Sequence, residues 1–364
     1  MRATLVIAVA TWLALAACGA PAPRSTPPAR EVERDVEIDS EREAHAPSSA
    51  APVAPPLPAQ PTPTPPPRRA RVLPTLPVSV ELEHVDSAHR SIERLDLDEY
   101  VTGVLRGELV VWDAPSALLE AQAIASRSYA LAVLELRAQQ GRSGPLPNST
   151  AAQAYRGAPA GKLSPAAHKV EARVRAAVAA TRGRVLVADG CVLDARFHAC
   201  CGGATAAFAD VFAAQEDLGA MPSVACAGCA GEPAWKATLE RAELARVWNV
   251  LGLAPKDWTL APARRDARGR WLEVELGSKG KSRRMPFEEL RARIGAARIP
   301  SSRIYNEWPD AGAVIDAKLV LEGRGRGHGV GLCQAGARHE AERGATSAEI
   351  LARYFPGAKL VTLR

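Results

Sequence analysis

The sequence predicts an α+β protein, with mixed strands and helices in one large domain behind a disordered proline-rich tether. Three observations predict it. Strand-like alternation ("VSVELEHV") and helix-like runs ("APSALLEAQAIASRSYALAVLELRAQQG") mix without a regular βαβ rhythm. Sixteen of the 29 prolines crowd between Pro21 and Pro77, around an acidic island, "EVERDVEIDSERE". Such a segment buries too little apolar surface to offset the entropy of ordering. Residues 73–364 are enough chain for a proper core.

At the N-terminus, "MRATLVIAVATWLALAAC" carries one early positive charge and an apolar stretch from Leu5 to Ala17. That stretch is short for a transmembrane helix and has the form of a signal peptide over residues 1–17. "LALAAC" resembles a lipobox, which makes Cys18 the expected lipidation site of an exported, membrane-anchored lipoprotein facing the periplasm or cell wall. Residues 18–72 are then a tether with a reach on the order of 100 Å. The net charge of +6 and pI near 9.0 suit an anionic partner such as a cell-wall polymer or lipid headgroups. Neither a basic helix nor an aromatic stacking motif points to nucleic acid.

Along the domain, "VSVELEHV" reads as a strand. "LDEYVTGVLRGEL" reads as a helix with Leu97, Val101, Val104 and Leu105 on one face. A long buried helix should run from Pro115 to a stop at Gly141. A further helix follows within residues 166–181, then two strands turning at Asp189-Gly190. "RGRWLEVELGSKGKSRRMP" reads as a hairpin, "FEELRARIG" as a short helix and "AKLVLEG" as a strand. "ARHEAERG" is helical, and "TSAEILARYFPG" begins with a capping box from Thr346 to Glu349.

The strand "AKLVLEG" delivers "GRGRGHGVGLCQAG", in which Gly323, Gly325, Gly327, Gly329 and Gly331 occupy every second position. No Lys-Ser/Thr pair follows, so it is not a P-loop, and its place near the chain's end does not suit a dinucleotide fingerprint. Alternate glycines weaken an ordinary strand, so the expectation is a strand or loop that another chain or a ligand approaches closely.

Taken in order, "LDEYVTGVLRGEL", "LLEAQAIASRSYAL", "ARFHACCGGATAAFADVF", "PFEELRARIG" and the glycine run with "GATSAEILARYFPGAKL" resemble the SpoIID/LytB family (sporulation stage II protein D) of bacterial cell-wall proteins. The resemblance extends from about Leu76 to the end. It implies a peptidoglycan lytic transglycosylase that cuts glycan strands lacking stem peptides and leaves 1,6-anhydro-muramyl ends. The essential acid of the family falls at Glu108, with Leu109 where a methionine is usual. LytB-type relatives are amidase modifiers, so the alternative is a non-catalytic glycan-binding protein that recruits or stimulates a cell-wall amidase. A zinc hydrolase fits less well, because no open three-ligand site with an adjacent carboxylate base is evident.

The lytic reaction needs one carboxylic acid rather than two, because the sugar's own 6-hydroxyl attacks the anomeric carbon. Apolar neighbours of Glu108 would raise its pKa as that role requires. Gln122, Arg127 and Tyr129, on the alanine-rich helix, are expected to floor the site or to form an internal network with Ser126. Gly327, His328, Gly329 and Gln334 are expected to meet the glycan, and Arg324 and Arg326 to meet a muramic lactate carboxylate or solvent. No cofactor is required by this chemistry. His198, Cys201, Cys226 and Cys229 nevertheless have metal-ligand character and would hold zinc, or else form disulfides in an oxidising compartment. Cys333 reads as a small buried hydrophobe.

The anchor is directly testable. Cys18→Ser is expected to move the protein from the membrane fraction to the soluble fraction, and unchanged partitioning argues against lipidation.

Overall fold

A computed structural model describes residues 73–85, 89–149, 152–212, 220–229, 231–253, 257–305, 315 and 318–364. The expected signal peptide, Cys18 and the tether lie outside the described residues. What is described has the mixed α+β character read from the sequence, organised around two hydrophobic cores.

The main body begins with a hairpin of β1 (Ser79–Val85) and β2 (Arg90–Asp96), paired in register from Ser79 opposite Asp96 to Val85 opposite Arg90. The second strand escaped the sequence reading because it is almost wholly exposed and so carries no apolar alternation. Asp96 caps helix α1 (Leu97–Glu108), its side chain accepting from the Asp98 N–H. The helix stops at Glu108 because Leu109 is extended. Helix α2 (Ser116–Gln139) starts after Pro115 and is buried along its first four turns, from Leu118 to Leu131. Strand β3 (Leu146–Pro147) joins β1 in parallel, and α3 (Pro165–Ala180) is capped by Ser164. Strands β4 (Arg184–Ala188) and β5 (Cys191–Val192) turn where expected, with both Asp189 and Gly190 at positive φ. The short pieces β6 (Phe197–His198) and α4 (Phe208–Val211) follow.

The second core is inserted here. It contains β7 (Trp235–Glu240), α5 (Arg241–Val250), the meander β8 (Thr259–Arg265), β9 (Trp271–Ser278) and β10 (Lys281–Pro286), α6 (Phe287–Ile294) and β11 (Lys318–Gly323), which returns antiparallel to β7. Trp248, Trp258, Trp271 and Phe287 fill it. The chain then re-enters the main body as β12 (Leu332–Cys333), parallel to β6. Helix α7 (Gln334–Glu342), α8 (Ser347–Tyr354) with its capping box, and β13 (Lys359–Thr362) beside β4 complete it.

Of the strand or loop that the glycines suggested, the run from Arg324 to Gly331 is a loop that follows the end of β11 at Gly323. Gly325, Gly327, Gly329 and Gly331 all have positive φ, from 73° to 98°. The backbone makes only single bridges, Cys200 with Arg326, Ser301 with Gly327 and Ala206 with Val330. The chain that comes close is the protein's own. A Cβ at Gly331 would lie 2.1 Å from the Arg196 carbonyl oxygen, and one at Gly329 would lie 2.7 Å from the Arg270 guanidinium carbon. Gly329 is therefore a packing position and not the glycan contact expected of it.

Arg127 is also corrected. Its side chain is fully buried, donates to the carbonyls of Thr181 (2.8 Å) and Arg184 (3.2 Å), and pairs with Asp98 at 3.1 Å. It joins α2 to the end of α3 and the start of β4. Removing one member of such a buried pair typically costs about 3–5 kcal/mol. Arg127→Met is thus expected to lower the unfolding midpoint sharply in thermal melts. Unchanged stability with lost glycan binding would restore the substrate role.

Candidate active-site cleft

A cleft of ≈ 700 Å³ opens between the main body and the inserted lobe. Glu108, Tyr129, Arg196, Phe197, His198 and Phe212 line it from the main body, Glu288, Arg291 and Ala292 from α6, and Arg326, Gly327 and His328 from the glycine run. The structure therefore brings Glu108, Tyr129, Gly327 and His328 together, four residues drawn from three distant stretches of sequence.

Glu108 reaches this wall as the last residue of α1. The segment around Ala154 lies directly on that helix turn, and a Cβ at Gly107 would fall 2.2 Å from the Ala154 carbonyl oxygen. That close approach delivers the Ala154 N–H to Glu108 Oε1 at 2.5 Å. Burial raises the Glu108 pKa above the ordinary carboxylate value, and the Ala154 N–H opposes the rise. Burial also raises the Tyr129 hydroxyl, which stays protonated as a donor. The second carboxylate lining the cleft, Glu288, is engaged by Arg291 at 2.8 Å.

Two histidines also line the cleft, with ring centroids 5.7 Å apart. One residue, Val330, sets them in opposite tautomers. Its N–H donates to His328 Nδ1 at 3.0 Å, which leaves the proton of neutral His328 on Nε2. Its carbonyl accepts from His198 Nδ1 at 3.1 Å, which leaves His198 Nε2 as an acceptor. Both are held neutral. Burial lowers the pKa of His328 well below its usual value, and burial followed by the charge of Arg270 lowers that of His198 to about 4. His198 Nε2 is buried and has no partner among the described residues.

Gln122 and Gln334 do not line the cleft. Gln334 Nε2 donates to Gln122 Oε1 (3.3 Å), and Gln122 Nε2 to Ser126 Oγ (3.1 Å). Gln153 joins through the Ser126 carbonyl and accepts from Tyr100. This buried network sits behind the wall and ties α7 to α2 and α1, the internal alternative to substrate contact. Arg196 and Phe212 were missed. The Arg196 guanidinium lies 4.1 Å from the Phe212 ring centroid and pairs with Asp194 at 2.8 Å. Its place next to "FH" in the sequence was the only signal.

The sulfur set also differs from expectation. The sulfurs of Cys201, Cys226, Cys229 and Cys333 lie within 4.8 Å of one another. Cys333 replaces His198 in the group, because β6 and β12 pair with Cys333 opposite His198 while His198 turns to Val330 and the cleft.

The profile of the family described as "Stage II sporulation protein" (SpoIID) matches residues 86–187, the stretch that contains Glu108 and Tyr129. The chain is 28% identical to an uncharacterized protein of Brachyspira hyodysenteriae over 276 residues, 74% of this chain and 68% of the relative. It is 27% identical to the stage II sporulation protein D of Bacillus amyloliquefaciens over 295 residues, 79% and 80% of the two chains. A shorter stretch of 78 residues is 35% identical to the amidase enhancer of Bacillus subtilis, 21% of this chain and 10% of that one. The profile match and these similarities over most of the chain support a SpoIID family assignment.

Proposed function

We propose that the protein acts on the bacterial cell wall as a lytic transglycosylase, anchored through Cys18 and cleaving peptidoglycan glycan strands. The observation that carries the reading is one carboxylic acid of raised pKa, Glu108, lining the same cleft of ≈ 700 Å³ as a neutral histidine, His328. Protonated Glu108 gives its proton to the glycosidic oxygen as the bond to the anomeric carbon breaks. The 6-hydroxyl of the same muramic residue attacks that carbon, and its proton passes to the Glu108 carboxylate. The acid is restored and no water is consumed, so a second carboxylate is not needed. Engagement of Glu288 by Arg291 suits that economy of groups. His328 Nε2–H offers a donor to a sugar oxygen, and His198 Nε2 stays buried beneath it. Arg326 and Arg196 would meet the lactate carboxylate of muramic acid.

A second reading is favoured by the similarity to an amidase enhancer. In it the cleft binds glycan without cutting, and a cell-wall amidase is the partner. Denuded glycan strands separate the two. The wild-type protein should release fragments with 1,6-anhydro ends, read by mass spectrometry. Glu108→Gln keeps the shape and the Ala154 hydrogen bond but has no proton to give, so cleavage should fall by about 10²–10⁴-fold with glycan binding retained. His328→Ala should weaken binding and cleavage together. Cleavage by Glu108→Gln at the wild-type rate would overturn the catalytic reading. Binding without cleavage by any of these proteins, with stimulation of an amidase, would establish the second.

The pH profile carries an independent sign. The acid form of Glu108 is the active one, and burial extends that form to higher pH than an exposed glutamate allows. Turnover should therefore persist above the ordinary carboxylate pKa and fall as pH rises through the Glu108 pKa. A rate that instead climbs through that range would assign Glu108 the role of a base.

A further inference from the structure

The five cysteines of the main body beside the cleft are not arranged as pairs. Cys229 Sγ lies 3.5 Å from Cys201 Sγ, 3.8 Å from Cys226 Sγ and 3.2 Å from Cys333 Sγ. A disulfide draws two sulfurs to about 2.05 Å and leaves the others behind. Four thiolates at about 2.3 Å from a central zinc lie about 3.8 Å apart along each edge of the tetrahedron. All four are buried, and they come from three segments: the "CCGG" loop, the "CAGC" turn and the start of α7.

We infer that Cys201, Cys226, Cys229 and Cys333 form a closed four-thiolate zinc centre with a structural role, separate from the cleft and without His198. The surroundings are built for thiolates. The N–H groups of Cys201 and Gly336 point to Cys333 Sγ at 3.3 and 3.4 Å, and Cys333 stands at the N-cap of α7, where the helix dipole favours negative charge. The Tyr354 hydroxyl lies 3.3 Å from Cys226 Sγ. The space is kept open by a residue with no side chain, since a Cβ at Gly336 would lie 2.3 Å from Cys226 Sγ. Four thiolates around a dication carry a net charge of two minus. The buried Arg270 guanidinium, which donates to the Cys201 carbonyl at 3.0 Å, supplies positive charge next to it. Cys200 has its sulfur 3.1 Å from Cys229 but lies outside the mutual set, so it is not a ligand. With all four positions filled by protein, the centre has no open site for substrate or water.

The test uses the full chain, purified without added metal or chelator. Elemental analysis should find one zinc per chain, and X-ray absorption at the zinc edge should find four sulfur neighbours at about 2.3 Å. His198→Ala and Cys200→Ser should retain the metal. Cys226→Ser should lose it, and the cobalt-loaded wild-type chain should show thiolate-to-cobalt charge-transfer bands. The X-ray absorption and cobalt spectra need no variant to fold. Three sulfurs and one nitrogen, loss of metal in His198→Ala, or metal-free native protein with Cys226 or Cys229 in a disulfide would each overturn the assignment. Every readout is of metal, so failure here leaves the catalytic reading of Glu108 standing, and failure there leaves this one.

Discussion

The arrangement depends on a buried guanidinium at the junction of the two cores. Arg270 enters from the inserted lobe immediately before β9 and is 1% exposed. It donates to Ser302 within its own lobe and to the carbonyls of Cys201 and Ala204 in the main body. Burying a cation is costly unless acceptors surround it, so these carbonyls have little freedom to move. Arg270 also occupies the space above Gly329, where any side chain would collide with it. One residue thus positions the inserted lobe, the cysteine-bearing loop and the middle of the glycine run. The cleft is what remains open beside that junction.

From this follows the role of the glycines. The run passes from one core back to the other through a tight channel lined by the Cys200 carbonyl, the Cβ of His198, the Arg270 guanidinium and the Arg196 carbonyl. Side chains at the alternate positions would meet protein before meeting any ligand. What the run presents to the cleft comes from between its glycines, chiefly His328 and Arg326. The bare backbone is therefore a means of placing a histidine, and only Gly327 itself borders the open space.

The sequence was most informative where local chemistry decides structure. Asp189-Gly190, Thr346 with Glu349, and Pro115 mark a turn, a capping box and a helix start, each decided within a few residues. Glu108 could be singled out by its segment, but the N–H from Ala154 that holds it could not, since that contact spans 46 residues. Arg127 misled because a charged residue in an apolar helix looks functional until its partners, Asp98 and two carbonyls beyond α3, are known. Of the inserted lobe, the β9–β10 hairpin, α6 and β11 were legible, whereas β8 was not, because it is half-buried along most of its length and carries no apolar alternation. His198 and Cys333 exchanged expected roles for one reason: the pairing of β6 with β12 places them opposite each other across 135 residues, and no spacing rule reaches that far.

The two halves of the cleft are prepared differently, and the difference has a chemical sense. On the side of α1, burial pushes a carboxyl group toward its protonated form, ready to release a proton. On the side of the glycine run, burial and surrounding arginines keep both histidines from taking one up. An acid that shares its cleft with neutral imidazoles does not lose its proton to them at rest. His328 can then only donate to a neutral group, and Val330 fixes the tautomers of both histidines through its own N–H and carbonyl. A protonated imidazole in either place would offer two donors and no acceptor, and would lower the pKa of Glu108 through its charge. Keeping the histidines neutral therefore protects the property that makes a single carboxylic acid sufficient.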